Sequence, residues 1–388
     1  MNRVVAMQTN KKTLDCMDAA DTPVVCIIYN RSRLVRNLIN TLRQIKPRRI
    51  LVIADGPKTD NNEDHRACEQ ARAEVDRIDW ECTIGRNYAD INLGCNKRIV
   101  SGLNWVFGLV DKALILEDDI DAHPQFFKWA TRMLNAYVDR DDVAMVSGHN
   151  PLVRWPNVVK NTAAIPSRRG GIWGWATWRH KWLSVNQTSI NGSLRQAADD
   201  ITRCRFEPTL GALYTYYLEQ SRKVSSISWD CDWTLRMAMS GRVAMISPIN
   251  LIHNLGVGDD ATHTKDGDDL VLCPARPLDQ TDFATEDLLS PTTLSLLPEG
   301  SDDSAFDRAR VLIELLVHTR DPAMAKRLAR HPNLPLDGAT KLHLLPFRHH
   351  KETLHWIDHI ALVAHDTITV QRWRHALADG NDSPPRKN

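Results

Sequence analysis

The sequence predicts an α/β protein, a doubly wound and mainly parallel sheet followed by a C-terminal helical extension. Three observations carry that expectation. Short unbroken apolar runs, suited to strands buried on both faces, alternate with amphipathic helical patterns up to about residue 150. One of those runs, Ala113–Leu116, ends abruptly in three consecutive carboxylates, Glu117, Asp118 and Asp119. Past residue 150 the alternation stops, and from Ser301 to Leu377 the pattern is helical and rich in histidine.

Taken in order, residues 1–21 are mixed and polar and read as a flexible N-terminus. Pro23–Tyr29 (Pro-Val-Val-Cys-Ile-Ile-Tyr) is a buried parallel strand, and Asn30-Arg-Ser-Arg opens a helix with Leu34, Leu38, Ile39 and Leu42 on one face. Ile50–Ala54 is a second strand closed by the turn signal Asp55-Gly-Pro. A charged helical pattern covers Glu63–Ile78, and Trp80–Ile84 reads as a third strand. The loop Asn87–Gly94 leads into a helix through Ile99, Leu103, Val106 and Leu109. After the acid-tipped strand, Phe126, Phe127, Ala130 and Leu134 mark another helix and Val143–Val146 another strand. Arg168–Trp182 is dense in glycine and tryptophan, residues 194–240 read as mostly helical, Val243–Ile246 as a short strand and Asn254–Asp269 as a loop. The domain plan is therefore residues 22–280 as the α/β domain, 281–377 as the helical extension and 378–388 as a disordered tail.

Composition narrows the class. The 388-residue chain carries a formal net charge of +1, which gives no field steering it to nucleic acid or an anionic membrane. No segment has the length and apolarity of a membrane span, and residues 1–20 lack the apolar core of a signal peptide. The eight cysteines contain no Cys-x-x-Cys pair and several lie in apolar contexts, which suits reduced thiols in a cytoplasmic protein. The Asn-x-Ser/Thr triplets at Asn30, Asn186 and Asn191 accordingly carry little weight.

Chemistry concentrates in a few places. Carboxylates at the C-terminal end of a parallel strand face the crevice where open α/β sheets bind ligands. One or two carboxylates, completed by phosphate oxygens and water, are what a hard divalent cation needs when it also holds a nucleotide. Asp119, furthest from the strand, is the expected metal ligand for Mn²⁺ or Mg²⁺; Glu117 and Asp118 are better placed for ribose hydroxyls or metal-bound water. In Ser228-Trp-Asp-Cys-Asp-Trp-Thr, an acid between tryptophans can sit against a sugar face and act as a general base, which nominates Asp230. A helix N-cap is the equally weighted alternative for Asp230. Trp173 and Trp175 offer flat platforms in a glycine-rich stretch, against the plainer alternative of a core with tight turns. Gly256-Val-Gly-Asp-Asp-Ala-Thr-His-Thr reads as a loop able to close over a diphosphate through His263 or Lys265. His355 and His359 share a helix face at zinc-pair spacing, but the glutamate of a His-Glu-x-x-His site is absent.

The order of these pieces resembles a known family. Tyr29-Asn-Arg-Ser, Ala54-Asp-Gly, Leu116-Glu-Asp-Asp, Gly171-Ile-Trp-Gly-Trp-Ala-Thr-Trp, Ser228-Trp-Asp-x-x-Trp and Asn254-x-Gly-x-Gly-x-Asp-Ala-Thr-His-Thr follow one another over residues 23–265. The pattern is similar to bacterial glycosyltransferases of the GT-A fold, the haemolytic-protein-like group, and more distantly to the N-acetylglucosaminyltransferase that initiates hybrid and complex N-glycans. The resemblance implies an inverting, Mn²⁺- or Mg²⁺-dependent transfer from a nucleotide-sugar donor, a UDP-sugar, to a glycan or lipid-linked acceptor. Carried over by position, Arg31 and Asp55 would contact the nucleobase, Glu117 and Asp118 the ribose and metal-bound water, Asp119 the metal, and Trp229 the donor sugar, with Asp230 as base. The eukaryotic enzyme has a histidine near the uracil where this chain has Gly102, a departure that leaves base and sugar open. A cytoplasmic bacterial enzyme without nucleic-acid partners, compatible with peripheral contact at the inner membrane, completes the expectation. The rivals are a nucleotidyltransferase, which would normally carry a glycine-rich basic loop where this chain has Asn30-Arg-Ser-Arg-Leu, and a catalytically inactive glycan-binding module, against which the retained acids argue.

Overall fold

The computed structural model describes residues 19–150, 164–188, 228–256 and 307. The expected extension at 281–377 (Asp307 apart), the tail, His263, the C-terminal histidines and the helical stretch at 194–227 lie outside the described residues.

Ten strands and six α-helices are described. The strands are β1 (Val24–Ile28), β2 (Arg49–Ala54), β3 (Thr83–Tyr88), β4 (Lys112–Glu117), β5 (Ile120–Ala122), β6 (Val143–Ser147), β7 (Ile165–Ser167), β8 (Trp175–Trp178), β9 (Val243–Ile246) and β10 (Ile252–Asn254). The helices are α1 (Ser32–Ile45), α2 (Asn62–Glu74), α3 (Cys95–Leu109), α4 (Pro124–Ala136), α5 (Arg179–Asn186) and α6 (Trp229–Met239). Eight strands form one sheet in the order β3-β2-β1-β4-β8-β6-β9-β7. It is mostly parallel: β8 runs against both β4 and β6, and β7 runs against β9.

Strand alternation explains the two faces. Val24, Cys26 and Ile28 of β1 point into one core with Leu38 and Leu42 of α1 and Phe127 and Met133 of α4. Val25 and Ile27 point into the other, with Leu103 and Val106 of α3, Trp182 of α5 and Trp233 of α6. Both faces are covered, so the central strands carry uninterrupted apolar runs, as the sequence indicated. Helix limits have local causes. Asn61 caps α2 by accepting from Asp64 N at 3.0 Å, and Pro124 sits in the first turn of α4 behind the His123 cap. Lys46, left-handed at φ 51°, ends α1 before Pro47.

Several boundaries differ from expectation. The third strand begins at Thr83 rather than Trp80, because the Trp80 indole folds back to donate to Pro47 O at 3.1 Å. β3 is an edge strand of mixed exposure, so its apolar pattern is weak. The α-helix over 63–78 stops at Glu74 and continues as one 3₁₀ turn, Val75–Arg77. The glycine- and tryptophan-rich stretch contains a strand, β8, wedged antiparallel between β4 and β6. Gly174 turns the chain into it at φ +59°, and a Cβ there would lie 2.1 Å from Ile252 Cδ1. A separate two-stranded ribbon pairs β5 with β10, setting Asn254 opposite Ile120. Among the described residues no helix is long and apolar enough to cross a membrane.

Lys181 of α5 closes the far end of α4. Its ammonium is buried, donates to Tyr137 O at 2.6 Å and Arg140 O at 2.8 Å, and lies 3.7 Å from the centre of the Trp178 ring. Burial pushes its pKa down to about 7, with Asp141 and Asp142 opposing. Lys181→Met keeps the stem but leaves two carbonyls unsatisfied. Chemical denaturation of that variant is expected to show a loss of about 2–4 kcal/mol; an unchanged midpoint would mean that water replaces the amine.

Candidate functional site

The chain runs outward through β1, β2 and β3, then crosses back to place β4 on the other side of β1. The C-terminal ends of β1 and β4 therefore flank a topological switch point, where open α/β sheets hold ligands. Tyr29, Asn30 and Arg31 leave β1 there, and Glu117, Asp118 and Asp119 leave β4. Ile27 is in register with Glu117, so both strands end at the same height.

Arg31 binds the acids together. Its guanidinium donates to Asp118 Oδ1 and, from Nε, to Asp118 Oδ2 at 3.4 Å, while Nη2 also reaches Asp119 Oδ2 at 2.9 Å. Asp118 is buried and also accepts from the Tyr29 backbone N–H. Burial raises the Asp118 pKa, and the Arg31 charge works against that rise. Glu117, half-buried, is held well above the usual carboxylate range by burial and then by Asp119, Asp118 and Asp230. Asp230 among these lies in the first turn of α6. Arg31 thus pairs with two carboxylates, and Glu117 and Asp230 add further acid groups beside them.

Other contacts fix the surroundings. Asn96 in the first turn of α3 accepts from Trp229 N at 2.9 Å, tying that helix end to α6. Leu255 N donates to Asp119 O at 2.7 Å, extending the β5–β10 ribbon to the acids. A Cβ on Gly256 would lie 2.4 Å from Asp119 Oδ2, so backbone approaches that carboxylate as only glycine allows.

The other expected residues divide. Asp55, buried, accepts from Gly56 N at 2.8 Å, Leu93 N at 2.9 Å and Gly94 N at 3.1 Å, so its carboxylate organises the loop before α3. Arg31, expected at a base, lies on the acids. Trp175 is enclosed by Trp182, Trp229 and Trp233 at centroid distances of 6.4, 6.1 and 6.0 Å, and it braces Trp229 from within the core rather than presenting a free face. Trp173 is half-buried and packs against His149 at 4.7 Å. Asp230 is not the N-cap of α6: Ser228 occupies that position and Asp230 lies within the first turn. Asp232 is held by Arg236 at 2.8 Å.

Asp64 is a residue that sequence reading passed over. It accepts from Tyr29 Oη and Asn30 Nδ2, both at 2.6 Å, and from Lys58 N at 2.7 Å, fixing the two residues that precede Arg31. Burial alone would raise its pKa, but these bonds hold it below the usual carboxylate range. Its only sequence signal is an acid in a helical first turn, which also reads as ordinary end-charge complementarity. Asp307, from the expected extension, binds Ser167 Oγ and accepts from Arg168 N at 2.9 Å. Arg169 next to it donates to Thr234 Oγ1 at 2.8 Å, and Thr234 in turn donates to Asp230 O at 2.8 Å.

Among the described residues no group of three or more His, Cys, Asp or Glu side chains forms a ready-made metal shell. No family model and no curated protein matches the chain.

The three N–H bonds to Asp55 yield a direct test. Asp55→Ala is expected to lower stability by about 2–4 kcal/mol and to speed amide exchange at Gly56, Leu93 and Gly94. Unchanged protection at those amides would show that the loop is held by other bonds.

Proposed function

We propose that the chain is a GT-A-type glycosyltransferase that moves a sugar from a nucleoside diphosphate donor to an acceptor hydroxyl. The observation that carries this reading is the convergence of Glu117, Asp118, Asp119 and the Asp230-bearing turn of α6 at the β1/β4 switch point. A crevice holding a formal excess of negative charge is unsuited to a diphosphate alone; it suits a diphosphate that arrives with a cation.

The donor atoms fit Mn²⁺ or Mg²⁺. They are all carboxylate oxygen, the donor type such ions take, with phosphate and water expected to complete the shell. Asp119 would hold the ion, with Glu117 and Asp118 behind it. When bound there, such an ion neutralises charge on a leaving diphosphate.

The chain's own residues account for the remainder. Asp230 takes the proton of the attacking hydroxyl through its carboxylate. Asp232 is paired with Arg236 on the helix surface, which favours Asp230 for that role. Trp229 closes the donor-sugar side and is kept in place by Trp175 and by the Asn96 bond to its backbone. A base on the acceptor side and a diphosphate on the other make a single displacement, hence inversion. The acceptor is a glycan or lipid-linked hydroxyl, and the protein works in the bacterial cytoplasm.

Asp230→Asn separates chemistry from binding. A general base contributes about 10²–10⁴-fold to rate, so transfer should fall by on the order of a hundredfold or more. Affinity for a UDP-sugar with Mn²⁺, read from thermal shift, should stay within a few-fold of wild type, on the order of 1 kcal/mol or less. Full transfer in that variant would remove Asp230 from the role. Absence of any thermal shift across nucleoside diphosphates and nucleotide sugars with Mn²⁺ would sink the reading as a whole.

A further inference from the structure

The two acids bound by Arg31 do not need it equally. Asp118 is buried and takes two hydrogen bonds from the guanidinium and one from Tyr29 N–H. Asp119 is more exposed, at 15%, and is reached by Arg31 through Nη2 alone, at 2.9 Å. The oxygen bound, Oδ2, is the one that faces the Gly256 backbone. A single nitrogen of an arginine anchored on Asp118 therefore covers one oxygen of the more exposed acid.

We propose that Arg31 is a resident counter-ion that occupies Asp119 until a divalent cation and a nucleoside diphosphate arrive together. This rests on the nucleotide-sugar reading above and adds an order of binding to it. A cation alone must displace Nη2 while the guanidinium, pinned to Asp118, stays close and repels it. A diphosphate gives the guanidinium a second anion to bind, since its planar fork matches phosphate oxygens as well as carboxylate. The Nη2 N–H that faces Asp119 can then turn to phosphate while Nη2 keeps its bond to Asp118, and the cation takes the freed oxygen. Metal and diphosphate thus bind cooperatively, and part of the coupling passes through Arg31 rather than through direct metal–phosphate contact. The arginine is held ready at the mouth of α1: Asp64 fixes Tyr29 and Asn30, and the Arg31 carbonyl accepts from Leu34 N and Val35 N at 3.0 Å.

The test measures Mn²⁺ affinity by calorimetry on the full chain, with and without saturating UDP. Arg31→Met alone adds a negative charge to the cluster and strands Asp118. Arg31→Met combined with Asp118→Asn removes one charge of each sign, so the cluster keeps its formal charge and only the cover on Asp119 is lost. In wild type, UDP should tighten Mn²⁺ binding by about tenfold or more. The double variant should bind Mn²⁺ alone about tenfold or more tightly than wild type, and its gain from UDP should shrink in proportion. The gain should survive several-fold higher salt, because it arises from a contact and not from a distant field. Mn²⁺ affinity equal to wild type in the charge-matched variant overturns the proposal, as does a UDP gain that is undiminished. If UDP fails to bind any form while Mn²⁺ alone behaves as expected, the nucleotide reading falls and the counter-ion role of Arg31 stands. Circular dichroism of both variants guards the comparison; if Arg31→Met unfolds, the double variant alone decides it.

Discussion

Everything at the mouth of this sheet follows from crowding carboxylates at the end of a strand that is buried on both sides. Two like charges about 5 Å apart repel by on the order of 3 kcal/mol at the effective dielectric of a protein surface. Glu117, Asp118, Asp119 and Asp230 would not stay together unaided. The buried pair between Arg31 and Asp118 makes the arrangement tolerable, and such a pair is costly to break, about 3–5 kcal/mol when one partner is removed. β1 must therefore deliver Arg31 to the same height as the end of β4, which their parallel register does. Asp64 and Asn96 then serve one purpose from opposite sides, locking β1's exit and α6's entry onto that point.

The second half of the sheet exists to bring α6 there. β8 enters against β4 and β6, so the strand carrying Trp175 lies directly beside the acid-tipped strand. Its ring, with Trp182, Trp229 and Trp233, builds a continuous aromatic layer beneath the crevice. Aromatic pairs of this kind add about 0.5–1.5 kcal/mol each beyond the area they bury. That layer fixes the height of α6. The Asp307 bonds to the Ser167–Arg168 turn, and the step from Arg169 to Thr234, fix it from the other end. A residue far along the chain thereby contributes to the position of the Asp230 turn.

The parallel core was legible because strands buried on both faces must be apolar at every position, as in Val24–Ile28 and Ala113–Leu116. The edge strand β3 was misplaced because half-exposed positions relax that demand. β5, β7 and β10 are three residues each, too short to show any period. At the site, the acid triplet was readable as a break in polarity, whereas its partner Arg31 was reached only by resemblance, and its contact with the acids depends on the β1–β4 crossing. Trp173 and Trp175 looked alike in sequence. They differ because Trp173 precedes β8 and the left-handed turn at Gly174 separates the two, leaving one toward His149 and the other in the tryptophan cluster. Asp55 was read in a turn signal and, by resemblance, as a base contact, but its three N–H partners depend on the path of a loop that composition does not fix.

Gly102 shows how position in space revises a reading made by order in sequence. It lies seven residues into α3 from Cys95, about 10 Å along the axis from the crevice. A Cβ there would come within 2.5 Å of Ile53 Cγ2, on the packed underside of β2. Glycine at this position is therefore explained by helix–sheet contact, and a side chain there would enter the core rather than approach a ligand. On the proposed nucleotide-sugar reading, selectivity for a base would fall to the rim instead. The Asp55-braced loop presents Ile91, 63% exposed, and Leu93 at that rim, a braced apolar surface at the edge of a charged crevice. On the nucleotide-sugar reading proposed above, such a rim would suit the flat face of a base and the acids would govern the diphosphate, so the two ends of a nucleotide would meet physically different parts of the same sheet edge.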